Sequence, residues 1–326
     1  MDTNPQHFNR STACLALAAL LLAAGAWLNV RWFGDPHSPM TEGPFYLRKV
    51  HAPAAFDLVM GGNSRVLQSL SPAAMAEELP GRRILNLGLD GACLAPQFCG
   101  VLASKLDPAS PAPALLLGIE PGTLEEYSSA NRKLNVELGR SGEAKFLAWH
   151  GEAWVRWFAP VRPFKILNRV SLAWHGPTTE QPLIHNECYP DGWMAAYREP
   201  EDVERMLALY RVEHGDETAG GPRIPLPFKE PLLEQVRQWT AAGVRVYGVR
   251  IPAAPELIAY EDRHYEFDAP DLVRRFREAG GVWLDIDPAP YRTYDGSHLH
   301  KASAVEFSRT VARAIRNAEG ASAFDP

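Results

Sequence analysis

Five short runs of this chain are hydrophobic at almost every consecutive position: FDLVMG at 56–61, ILNLGL at 84–89, ALLLGI at 114–119, VRVYGVRI at 244–251 and VWLDI at 282–286. A strand with no polar face must be buried on both sides, and Gly and Pro punctuate these runs at strand length. Between them lie amphipathic stretches at Ser71–Leu79, with Pro72 at the first helical position, and at Pro96–Leu106, Glu230–Ala242, Ala269–Ala279 and Lys301–Asn317. Strand and helix alternate, which predicts an α/β protein with a doubly wound parallel sheet in the order 2-1-3-4-5 and helices on both faces.

The interval 124–227 breaks the alternation. It holds Trp149, Trp154, Trp157, Trp174 and Trp193 among many turn residues. We read it as a large insertion between the third and fourth strands, either a cap whose aromatic surface lines a substrate groove or the ordinary core of a subdomain. Residues 54–326 then form one domain, and the Gly- and Pro-bearing stretch 34–53 reads as a linker.

Residues Ala13–Val30 contain no charge and are just long enough to cross a bilayer. A cleaved signal peptide is the alternative, with Ala24-Gly25-Ala26 as the processing site. Trp27 and Trp32 suit a membrane interface and favour an uncleaved anchor over 1–33. Either reading predicts export to the periplasm or cell surface. Cys14 opens the apolar run, which argues against lipoprotein processing. The four cysteines are too few for a disulfide scaffold and lack zinc spacing. Pairing of Cys93 with Cys99 and two buried free thiols both remain open. A formal charge of -6 gives no bulk electrostatic case for nucleic acid. The histidines show no ligand spacing, so neither metal nor cofactor is expected.

In open parallel sheets, functional groups gather at the carboxyl ends of the strands. The first run ends in Gly61-Gly62-Asn63-Ser64-Arg65, which sets a hydroxyl where a helix begins. The last run is followed by Asp295-Gly296-Ser297-His298, in which a carboxylate three residues ahead can orient an imidazole. His300 is a competing base, disfavoured by its spacing. In the expected strand order the serine and the Asp/His pair converge on one sheet edge. Arg250, at the end of the fourth run, lies near that edge, placed to hold an anionic substrate group or to make a plain salt bridge.

These blocks resemble the SGNH (GDSL-like) hydrolase superfamily over about residues 56–122 and 244–315. The resemblance implies a flavodoxin-like sheet and carries roles onto individual positions. GGNSR stands where the family has its nucleophile block, which makes Ser64 the nucleophile and its N–H an oxyanion donor. Asn86-Leu87-Gly88-Leu89-Asp90-Gly91 matches a second block whose last glycine, here Gly91, supplies another oxyanion N–H. DGSHL matches the block that contributes Asp295 and His298. The third block departs: Glu120, in Gly118-Ile119-Glu120-Pro121, stands where hydrolases carry an oxyanion-hole Asn. An ionised carboxylate there would repel the developing charge. Glu120 is therefore expected to turn away or to pair with Arg65 or Arg250, and Asn186 of the insertion is a substitute donor. The segment Asp191-Gly192-Trp193 reads as a structural turn.

The resemblance implies an exported, membrane-tethered serine esterase or O-acyltransferase. Anchored relatives of this kind act on cell-surface polysaccharide, often beside a membrane-bound O-acyltransferase. The competing expectation, founded on Glu120, is a catalytically weak SGNH-like protein that binds glycans or scaffolds a membrane complex.

Overall fold

The computed structural model describes residues 5–33, 38–127, 130–151, 154, 163–214 and 223–322. Trp157 and part of the 124–227 interval lie outside these described residues. The strands are β1 (Leu58–Gly61), β2 (Ile84–Asn86), β3 (Ala114–Gly118), β4 (Leu183–Cys188), β5 (Met194–Glu199), β6 (Arg245–Val249) and β7 (Val282–Trp283). One five-stranded sheet has the order β2-β1-β3-β6-β7, with every pairing parallel. β4 and β5 form a separate antiparallel hairpin.

The helices that cover the sheet are α2 (Glu42–Val50), α3 (Ser64–Ser69), α4 (Pro72–Glu78), α5 (Pro96–Ala103), α11 (Lys229–Ala241), α13 (Ala269–Glu278) and α14 (Lys301–Ser322). Between β3 and β6 the chain also forms α6 (Pro121–Leu124), α7 (Arg132–Leu138), α8 (Gly142–His150), α9 (Pro163–His175) and α10 (Arg205–His214). The short helix α12 (Pro255–His264) follows β6, and α1 (Pro5–Phe33) is at the N-terminus.

The strands' alternation sorts the core into two layers. Val59, Leu115, Leu117 and Val246 pack with Phe98, Leu102, Val236 and Phe276 of α5, α11 and α13. Leu58, Met60, Leu116 and Tyr247 pack with Val66, Met75, Phe307 and Val311 of α3, α4 and α14. Both faces are covered, which is why these strands carry no polar alternation. Local chemistry starts the helices where the sequence pattern does: Ser71 Oγ accepts the Ala74 N–H of α4, and Pro72 occupies its first turn.

Part of the stretch 34–53, expected as a linker, is a buried helix. Residues 42–50 are α2, which buries Phe45, Tyr46, Leu47 and Val50. Gly43 and Pro44 read as chain breakers, but they sit in the helix's first turn, where a missing N–H costs no hydrogen bond. The apolar run at 13–30 lies within α1, whose window Thr12–Asn29 is long and apolar enough to cross a membrane, as a signal sequence also is. Cys14, Cys93, Cys99 and Cys188 are free thiols.

Candidate active site

Ser64 opens α3 directly after the turn that leaves β1. Gly62 has φ +151°, and a Cβ there would lie 2.5 Å from Val66 Cγ2 and 3.2 Å from the Gly118 carbonyl oxygen. Only glycine lets the chain turn this close to β3. Asn63 caps the helix, its Oδ1 accepting the Arg65 N–H at 2.9 Å.

The loop between β7 and α14 returns to the same edge. His298 Nε2 lies 2.8 Å from Ser64 Oγ, and His298 Nδ1 lies 2.8 Å from Asp295 Oδ2. A carboxylate can only accept, so the proton sits on Nδ1 and leaves Nε2 to accept from the serine hydroxyl. The other Asp295 oxygen accepts the backbone N–H groups of Ser297 at 3.0 Å and His298 at 2.8 Å. This Asx-type turn fixes the three-residue spacing. Burial pushes the Asp295 carboxyl upward, but the imidazole beside it and these hydrogen bonds outweigh burial and hold it below the ordinary range. The Tyr294 ring stacks on the imidazole at 5.9 Å, and its hydroxyl donates to Gln68 Oε1 at 2.6 Å. His300 lies against Glu201, 3.2 Å from Oε1.

Arg65 follows the serine and points into the protein. Its Nε donates to Ser297 Oγ at 2.9 Å and its other nitrogens to the buried Glu261 of α12. Arg250 shares Glu261 at 3.3 Å and adds Asp262 at 2.8 Å. The expected pairing of Glu120 with Arg65 or Arg250 is therefore corrected: both guanidinium groups make their ion pairs with α12. The sequence gives Glu261 no local signal, because it belongs to an ordinary amphipathic helix and reaches Arg65 across 196 positions.

Glu120 is buried, and its backbone caps α6 through Thr123: the Thr123 hydroxyl donates to the Glu120 carbonyl at 2.8 Å. Neither carboxylate oxygen meets a partner in good hydrogen-bond geometry. Burial raises its pKa. The positive charge of Arg65 opposes the rise, Glu261 adds to it, and Arg250 and the Asn63 carboxamide oppose it again. Glu120 is thus disposed to hold a proton at pH values where an exposed glutamate has lost it.

Gly91 sits at φ +63° in the loop after β2. The Leu89 N–H donates to the Gly62 carbonyl at 3.1 Å, which brings this loop beside the Ser64 turn. Asn86 ties the loop to α3: its Nδ2 donates to the Val66 and Leu70 carbonyls at 2.8 and 2.7 Å, and its Oδ1 accepts from Gly88 N–H at 2.8 Å. Buried Lys49 of α2 donates to the carbonyls of Gly88 at 2.6 Å and Gly192 at 2.8 Å. Burial lowers its pKa to about 7, against the pull of Asp90. Sequence reasoning missed Lys49 because it lies in the supposed linker.

Asn186 is half-buried in β4, opposite Ala196 of β5. Among the described residues, no hydrogen bond joins it to Ser64, Gly91 or His298. Trp193 follows a structural turn, with its N–H on Asp191 Oδ1 at 3.1 Å, and is buried with its indole N–H on the Gln68 carbonyl at 2.9 Å. It is core packing and lines no groove. Trp149, Trp154 and Trp174 are instead exposed.

The structure brings Ser64, His298 and Asp295 into one hydrogen-bonded chain, with Arg65, Arg250 and Glu120 in the charged layer beneath. Chemically, such a chain can pass a proton from a hydroxyl to an imidazole while a carboxylate stabilises the resulting cation. Among the described residues, no cluster of side chains suits a metal ion.

No protein-family model and no curated protein matches the sequence. A solved structure described as "a putative platelet activating factor from Streptococcus pneumonia" aligns at 12% identity over 94% of this chain and 98% of that one. The TM-score is 0.32. A likeness of that size assigns no activity.

Proposed function

We propose that this protein is a serine esterase or O-acyltransferase with an SGNH-type site, exported and held at a membrane by α1, and that it acts on acyl esters of a cell-surface polysaccharide. The observation that carries the reading is the pair of 2.8 Å contacts through which His298 joins Ser64 to Asp295. Ser64 Oγ attacks the acyl carbonyl as His298 Nε2 takes its proton. Asp295 holds the tautomer and stabilises the imidazolium; His298 then returns the proton to the leaving alcohol. The backbone N–H groups of Ser64 and Gly91 are the oxyanion donors in this scheme. The acyl group on Ser64 passes to water or to a sugar hydroxyl, and a membrane-bound O-acyltransferase is the natural partner for supply of acyl groups.

The buried Glu120, in the place of an amide, favours a second reading: a catalytically weak SGNH-like protein that binds glycan or scaffolds a complex. Covalent labelling by a fluorophosphonate separates the two. The enzyme reading expects a label on Ser64 that is absent in Ser64→Ala. A folded wild type that resists labelling would remove it.

A further inference from the structure

Helices α8 and α9 each expose apolar side chains that the core does not use. On α9, Ile166, Leu167, Val170 and Trp174 are exposed, Leu167 at 70% and Trp174 at 83%. At about 100° per residue these four positions fall on one face of the helix. A helix of a water-soluble domain turns such a stripe inward; here it faces out. On α8, Phe146, Leu147 and Trp149 are exposed while Ala148 is buried.

The sequence of this segment is also unlike the rest of the chain in its charge. Residues 142–175, from the start of α8 to the end of α9, carry Lys145, Arg156, Arg162, Lys165 and Arg169 against Glu143 and Glu152, in a protein whose formal charge is -6. Tryptophan with aliphatic residues on one side and excess basic charge nearby is the composition of a helix that lies in the boundary of an anionic bilayer.

Position supports the same partner. Arg48 of α2 grips α8, with Nε on the Ala148 carbonyl at 2.6 Å and a second nitrogen on the Trp149 carbonyl at 3.2 Å. α2 begins at Glu42 and α1 ends at Phe33. The intervening eight residues can span at most about 28 Å. With α1 in a bilayer, α8 is held within reach of its surface.

We propose that the exposed apolar side chains of α8 and α9 dock onto the interface of a membrane containing anionic lipid, as a second contact beside α1. Two attachment points fix the domain's orientation over the bilayer, which one helix cannot do.

The test uses the full chain reconstituted in phosphatidylcholine vesicles with and without phosphatidylglycerol. Trp174→Cys, in a Cys14→Ser background, carries an environment-sensitive fluorophore; Glu278→Cys on α13 is the control. The expected result is a blue-shifted emission at 174, quenched by lipids bearing a nitroxide near the headgroup. That quenching is stronger with phosphatidylglycerol, falls away in Leu167→Glu/Val170→Glu, and is absent at 278. Quenching at 174 no greater than at 278 overturns the proposal. So does a blue shift that nitroxide lipids leave unchanged, because the face is then covered by protein, a second copy included.

Discussion

Ser64 Oγ and His298 Nε2 lie 2.8 Å apart although 234 positions separate them in the chain. One residue begins the helix after β1 and the other lies in the loop after β7, so the contact exists only because both loops leave the carboxyl edge of the parallel sheet. Its chemical meaning is open to direct measurement.

If Ser64, His298 and Asp295 work as one unit, removing a member lowers ester turnover by roughly 10⁴-fold. The Ser64→Ala/His298→Ala double variant then loses no more than Ser64→Ala alone. Hydrolysis of an activated ester by wild type, the single variants and the double variant measures this. Retained activity in His298→Ala with loss in His300→Ala would transfer the base to His300.

Glu120 gives a prediction with a defined sign. Its pKa is raised in the folded state, so the folded protein keeps a proton that the unfolded chain has lost. The stability this contributes is complete below the ordinary carboxyl range and is lost as pH rises through the raised value. Glu120→Gln keeps the shape and removes the titration. Urea unfolding across pH should show the variant losing less stability than wild type on the alkaline side. Labelling at Ser64 should be undiminished where Glu120 keeps its proton and faster on the alkaline side, where the variant lacks the charge that would oppose an oxyanion.

The Arg65–Glu261 pair is buried on both sides, with side-chain exposures of 3% and 1%. Breaking such a pair leaves an uncompensated charge and costs about 3–5 kcal/mol. Glu261→Gln should lower stability by that order in denaturant melts. Activity should fall as well, because Arg65 also holds Ser297 in the loop that presents His298.

Gly296, between Asp295 and His298, has φ +85°, and a Cβ there would lie 2.1 Å from the Val203 carbonyl oxygen. Gly296→Ala meets both backbone strain and a clash, so it should destabilise by more than about 1 kcal/mol and reduce turnover. Gly320→Ala in α14 has nothing within 4 Å and should be neutral or stabilising. Thermal melts of the two variants compare them directly.

What the sequence determined by itself is local. Continuous apolar runs cannot face water, so the sheet strands were legible in the sequence, while their order was an expectation of the doubly wound class that only the tertiary pairing could meet. Ser71-Pro72 announced a helix start because a hydroxyl cap and a missing N–H act within one turn. The short motifs around Ser64 and His298 were legible too, since their turns are made by neighbouring residues. The rest depended on tertiary structure. Nothing local marks Glu261 as the partner of Arg65 and Arg250, Lys49 as the anchor of the Gly88 loop, or Trp193 as core while Trp174 stays outside. Burial decides each of these. A charge withdrawn from water takes whichever opposite charge or carbonyl the fold brings within reach, and an aromatic ring is buried only where another element arrives to cover it.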